Sequence, residues 1–209
     1  MRKSLPTCSA NLNMTAEVSQ SRFFASLPRA FISRREIRMS RQVFHRGRKI
    51  EVALDTQVLA DGRTIQRDIV IHPGAVAILP LVDADHVCLL RNHRFILDAV
   101  IWEIPAGTLE EAEEPDHAAV RELAEETGYT ARSWLKLAAF WPSPGVLSET
   151  THLYVAQDLL PGSQRLEAGE EMTTEIVAWS QAVDWAVDGT IRDAKTMLGI
   201  LLWDRLRAR

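Results

Sequence analysis

The sequence predicts a mixed α/β domain, a mixed β-sheet with helices packed on it, and three observations carry that prediction. Between residues 50 and 104 the apolar residues alternate or run in short β-branched stretches. From Pro115 to Thr127 the apolar spacing becomes helical. Strand-like runs then return before two further helical segments end the chain. Strands, a helix, strands and two helices in that order build a mixed sheet covered by helices.

Ile50–Leu59 reads as a strand, Asp61-Gly62 as a tight turn and Ile65–His72 as the return strand. Gly74–Val82 is an apolar run suited to a buried strand. Asp83–His86 turns the chain into a strand over Val87–Arg91, and Val100–Ile104 is a short strand stopped by Pro105. The helix that follows has a proline where a first turn tolerates one, Pro115, and Gly128 as its stop. Ser133–Phe140 and His152–Gln157 read as strands joined through Ser143-Pro144-Gly145, and Glu175–Trp179 as the last strand. Ser180 is placed to cap a helix to about Val187, ended by Gly189, and a final helix runs from about Asp193 to Leu206.

The chain has 209 residues, 46% of them hydrophobic, enough for one domain with a sizeable core. Residues 1–41 contain eight of the 24 Lys and Arg but only two of the 28 Asp and Glu, so the remainder holds 16 basic against 26 acidic residues. An acidic body with a net charge of −4 argues against nucleic acid as a partner and favours a site that works through a cation. Cys8 and Cys88 form no metal-binding or disulfide pattern, so a reducing compartment, the cytoplasm, is expected. No apolar run reaches the roughly 18–20 residues of a membrane span. Residues 1–40 are expected to be a disordered or over-extended N-terminal segment, with Met39 as an alternative start, or else a transit segment. Residues 41–72 form the N-terminal strand region, and 73–209 the main domain.

The chemistry concentrates in the first helix. On a helical wheel Val120, Leu123, Ala124 and Thr127 fall on one side, and Arg121, Glu122, Glu125 and Glu126 on the other. Three carboxylates within one and a half turns repel each other, and only Arg121, four residues before Glu125, offsets them. Such a face is either a solvated acidic surface or a divalent-cation site. Hard oxygen donors suit Mg²⁺ or Mn²⁺, which keep waters and share ligands with substrate phosphates.

The spacing separates these readings. Gly107, five residues, Glu113, seven residues, Arg121-Glu122-Leu123, one residue, Glu125-Glu126, one residue, Gly128-Tyr129 matches the Nudix box at every position. Chance would give that match on the order of once in 10⁸ trials at average residue usage. The stretch from His72 to Lys195 further resembles the ADP-ribose pyrophosphatase branch of the Nudix hydrolases. Gly74–Pro80 resembles its central strand, Glu103-Ile104-Pro105-Ala106-Gly107 its approach to the box, Ser143-Pro144-Gly145 its proline loop, and Asp193-Ala194-Lys195-Thr196 its last helix start. The chain departs from the branch at Asn92-His93-Arg94, where a Gln and an aromatic residue usually precede the Arg. That departure bears on substrate preference rather than on chemistry.

The resemblance implies an α/β/α sandwich with a mixed sheet, preceded by an antiparallel strand region that serves dimerisation. It implies metal-dependent hydrolysis of a nucleoside diphosphate sugar, ADP-ribose first, with ADP-glucose or GDP-mannose as neighbours. The implied metal ligands are Glu122, Glu125, Glu126 and the carbonyl of Ala106, holding Mg²⁺ or in its place Mn²⁺. Arg121 orients the glutamates, Glu113 supports the loop, and Gly107 and Gly128 are backbone requirements. Glu170 and Glu171 both qualify as the general base. Substrate contacts are expected from Arg67, Arg94, Glu103 and the Pro144-Gly145 loop, and a homodimer is expected. Phe44 is a candidate for stacking an adenine, and Trp102 for core packing. A rival of a different class is a non-catalytic sensor of the same ligand. Such sensors usually carry a broken box or an added DNA-binding domain, and this box is intact.

Overall fold

A computed structural model describes residues 38–208. The expectation for residues 1–40 lies outside the described residues up to position 37. Arg38, Met39 and Ser40 already belong to the first strand.

That strand, β1 (Arg38–Arg46), pairs with β2 (Glu51–Val58), which pairs with β3 (Thr64–Ile71), all antiparallel. The β2–β3 connection tightens at Gly62, whose φ of 83° only glycine adopts without strain. β1 is an addition to the sequence reading. Arg38–Arg46 has no clean two-residue apolar period, and its backbone is ordered by the ladder to β2.

A second sheet is β10 (Met172–Ala178), β5 (His86–Arg94) and β6 (Ala99–Glu103), in that order. The third is β7 (Ala106–Thr108), β4 (Ala75–Pro80), β9 (Thr151–Leu160) and β8 (Thr130–Phe140). β4 runs parallel to β9 and antiparallel to β7, so the sheet is mixed as predicted. Alternation on β4 and β9 makes two cores. Ala77, Leu79, Leu153 and Val155 pack against α2 (Trp179–Asp188) and α3 (Ala194–Arg207). Val76, Ile78, Tyr154 and Ala156 pack against Ala118, Ala119 and Leu123 of α1 (Pro115–Thr127). The result is helix on both faces of the sheet, an α/β/α arrangement. Among the described residues no helix is long and apolar enough to cross a membrane.

Three local readings are corrected. α2 begins at Trp179 behind Ala178, so Ser180 lies inside the helix and is not its cap. Trp179 buries its ring in the core, and that burial sets the boundary ahead of the local capping preference. β5 continues through Asn92-His93-Arg94, because β6 and β10 pair with it on both sides. On α1 the buried stripe contains Glu122 and Glu126, while Val120 is exposed, so the helix turns part of its acidic face inward.

Candidate active site

α1 is held as its sequence specifies. Pro115 occupies the first turn and Gly128 ends the helix in the left-handed region at φ 76°, its N–H bonded to the Ala124 carbonyl. Gly128 also meets Gly162 back to back, and a methyl on either would strike the other's segment. Gln164 Nε2 donates to the Glu126 carbonyl at 2.6 Å and the Arg165 N–H to that of Glu125 at 2.8 Å. The loop from residue 161 thereby caps the end of the acidic helix.

Across from α1 runs β7. A methyl built on Gly107 would overlap the Glu122 carboxylate, so the absent side chain is what lets this acid lie against the strand. Glu126 accepts the Ala106 N–H at 2.8 Å. Arg121 gathers the remaining acids. Its Nε and Nη2 donate to both oxygens of Glu113 at 2.9 Å, and its Nη1 reaches Glu122 at 2.6 Å and Glu125 at 3.2 Å. Glu113 also receives the Glu110 N–H, so it braces the loop. Arg121 spends its fork on orientation.

The electrostatics follow from burial. Glu126 is 4% exposed. Burial first, then Glu122 and Glu170, push its pKa up to about 8, against the Ala106 N–H and Lys195. Burial raises Glu122 as well, with Arg121 pulling the other way. A buried carboxylate that favours its acid form is one that a cation re-ionises.

These acids face a hollow of about 520 Å³ that Glu122, Glu125, Glu126, Glu170, Arg94 and Lys195 help to line. A second hollow of about 650 Å³ adjoins it, sharing Arg48, Lys49, His72 and Glu122. Among the described residues no three acids, histidines or cysteines converge into a ready-made metal cage. The donor set nevertheless fits a hard divalent cation. It is all oxygen and open to the hollow, and such ions complete their shells with water and phosphate. Glu122, Glu125 and Glu126, with the Ala106 carbonyl beside them, are the groups that would hold it.

The opposite wall is cationic. Arg94 grips Glu103 with Nε at 2.8 Å and Nη2 at 2.5 Å. Lys195 Nζ reaches the same carboxylate at 3.2 Å and Asp193 at 2.9 Å. Glu103 is 3% exposed. Burial works to raise its pKa, but Arg94 and Lys195 outweigh burial and hold it below the usual range. Glu103 therefore meets Arg94 and Lys195 rather than the hollow. Lys195 is a site residue that sequence reasoning did not single out.

The remaining candidates separate. Glu170 lines the hollow, while Glu171 turns to His93, with 3.5 Å between Oε2 and Nδ1. Arg67 stands exposed on β3, and Pro144 and Gly145 are exposed in the β8–β9 loop; none of the three lines the hollow of this chain. Trp102 stacks on Trp185 with ring centroids 4.9 Å apart, the packing role expected of it. Phe44 is 58% exposed.

Known proteins are similar to this chain. A model of the NUDIX domain matches residues 71–197. The ADP-ribose pyrophosphatase of Bacillus subtilis (strain 168) is 38% identical over 161 residues, covering 76% of this chain and 86% of that protein. The methanol dehydrogenase activator of Bacillus methanolicus is 35% identical over 161 residues, with the same coverage of 76% and 86%. The crystal structure of an ADP compounds hydrolase matches with a TM-score of 0.72 at 23% identity, covering 82% of this chain and 94% of that one, a likeness of fold. With the box intact and its acids gathered over one hollow, the chain belongs to the Nudix hydrolase family.

Proposed function

We propose that this protein hydrolyses the pyrophosphate bond of a nucleoside diphosphate sugar, with ADP-ribose cleaved to AMP and ribose 5-phosphate, using Mg²⁺. Nudix hydrolases generally use divalent metal cations. The observation that carries the reading is a hollow lined both by carboxylates, Glu122, Glu125, Glu126 and Glu170, and by the cations Arg94 and Lys195. Acids that hold a cation, facing fixed cations, suit a pyrophosphate better than a neutral ligand. The similarity to an ADP-ribose pyrophosphatase supports the choice of sugar nucleotide.

A divalent cation, once bound, neutralises the pyrophosphate and makes water more acidic. The chain's own groups do the rest. Arg94 takes hold of the phosphates. Arg121 keeps Glu122 and Glu125 aimed at the hollow. Glu170 accepts a proton from the attacking water, whose oxygen bonds to phosphorus as the bridging P–O bond breaks. Glu170 is preferred to Glu171 because it lines the hollow and is near enough to Glu122 and Glu126 to push their pKa values up. A homodimer belongs to the same reading. The edge of β1, open among the described residues, the exposed Phe44 and the position of Arg67 outside this chain's hollow support a partner chain beside the N-terminal sheet.

The test is a hydrolysis panel of ADP-ribose, ADP-glucose, GDP-mannose, UDP-glucose and diadenosine polyphosphates, with and without Mg²⁺ or Mn²⁺. Metal-dependent release of AMP from ADP-ribose, faster than from any other compound, is expected. Faster cleavage of another sugar nucleotide would replace the substrate. Binding of ADP-ribose without cleavage, metal present, would replace the enzyme with a sensor.

A further inference from the structure

The hydrolysis reading uses Lys195, in the first turn of α3, only as a cation at the hollow, yet that turn is tied to the site by several further hydrogen bonds. Asp193 caps the helix, accepting the Thr196 N–H at 3.0 Å and the Thr196 hydroxyl at 2.5 Å. Thr196 is fully buried, and its Oγ1 accepts the Ile104 N–H at 2.9 Å. One Asp–Thr pair thus fastens α3 to the segment Ile104-Pro105-Ala106, whose last residue supports Glu126. The neighbour, Lys195, donates to Asp193 and to Glu103, and Glu103 receives Arg94.

A lysine in the first turn of a helix opposes the helix dipole. Without a partner it would turn to water. Here its side chain is 18% exposed and pinned between two carboxylates. Arg94 shows what the pinning achieves. Its side chain is 45% exposed on the hollow. Two of its five N–H groups go to Glu103, and among the described residues Nη1 bonds to no protein group. The guanidinium is held by one edge and presents the other to the hollow. A buried Glu103 with one cation could rotate to follow Arg94; with Lys195 on Oε2 as well it cannot follow without losing a bond.

We propose that Lys195, set by the Asp193–Thr196 clamp, is a positioning residue. It locks Glu103 and so presents Arg94 in the orientation that grips the substrate's pyrophosphate. This inference rests on the proposed pyrophosphate hydrolysis and deepens it. The role is one of preorganisation, which shows in substrate affinity more than in the chemical step.

The experiment compares wild type, Lys195→Met, Lys195→Arg, Arg94→Ala and the Lys195→Met/Arg94→Ala double variant. Each is assayed for KM and kcat on ADP-ribose with Mg²⁺, for affinity towards its non-hydrolysable α,β-methylene analogue by calorimetry, for Mn²⁺ affinity and for Tm. Lys195→Met should weaken analogue binding and raise KM by about ten-fold, with kcat changed far less; its Tm should fall, because Glu103 loses one of the two cations that offset its burial, and Lys195→Arg should restore it. Lys195→Arg should recover most of the loss. In the double variant the Lys195 change should add almost nothing, because the arginine it positions is gone. Equal affinity in wild type and Lys195→Met, a fall in kcat at constant KM, or losses that multiply in the double variant would each overturn the positioning role. A wild type that neither cleaves nor binds ADP-ribose would instead overturn the functional reading beneath it.

Discussion

At the scale of single residues, Glu126 concentrates the physics of the site. Without a cation its folded-state pKa stands near 8, above the ordinary value of 4.5. Between those two pH values the folded chain keeps a proton that the unfolded chain has released. Stability from this group is therefore complete below about pH 4.5 and is lost as pH rises towards 8. Thermal melts in chelator should show the wild-type Tm falling over that range relative to Glu126→Gln, and parallel curves would refute it. A divalent cation should restore the loss, most strongly at high pH. The same variant should lower turnover by ~10²-fold or more, the scale of one lost electrostatic contact in a transition state. The glutamate spacing that led to this residue was legible because one turn of helix separates Glu122 from Glu126. Its burial was not, because a helical wheel assigns charge to the outside, whereas β7 takes both acids in, Glu126 on the Ala106 N–H and Glu122 over the bare Gly107. Lys195 was less legible still. Its partner Glu103 lies 92 residues away in sequence, so no local pattern joins them.

At the scale of elements, strand register separates the two candidates for the proposed general base. β10 pairs Met172 with Asn92, and the His93 N–H bonds the Glu171 carbonyl just before that ladder begins. This fixes Glu171 beside His93 and leaves Glu170 towards α1. Glu170→Gln should cut kcat by about 10²- to 10⁴-fold, the range for a lost general base. Glu171→Gln should leave it unchanged, and the reverse order would show the assignment to be wrong. Two neighbouring glutamates in a loop look alike in sequence, since the pairing that tells them apart is made with a strand some eighty residues earlier. The longer elements were readable for the opposite reason. β4, α1 and α3 each carry their own apolar period or stop signal, whereas three-residue β7 and the polar β1 take their shape from neighbouring strands.

For the whole molecule, the N-terminal sheet poses the main question. Its order, β1-β2-β3, leaves β1 with an unpaired edge among the described residues, and the Arg41–Asp55 pair lies across β1 and β2, with Nε 2.7 Å from the carboxylate. Exposed ion pairs contribute little to stability and more to choice of partner. Light scattering should give twice the chain mass of 23.5 kDa. A single-chain mass would exclude the dimer and with it any contribution of Arg67 to a partner's site.

The glycine contact behind α1 also sets a rule for insertions and deletions. At one end the loop is tied to α1 by Arg165, and at the other β10 starts at Met172, so residues 166–171 form a tether of fixed length that carries the proposed base. Each added residue lengthens such a tether by about 3.3 Å, enough to carry a carboxylate out of reach of a water it must deprotonate. The β2–β3 turn bears no such restriction, since a methyl built on Gly62 would meet nothing within 4 Å and no proposed site residue lies in the turn. Over evolutionary time, length should drift at Asp61–Arg63 and stay constant between 165 and 172, even where the side chains around Glu170 change.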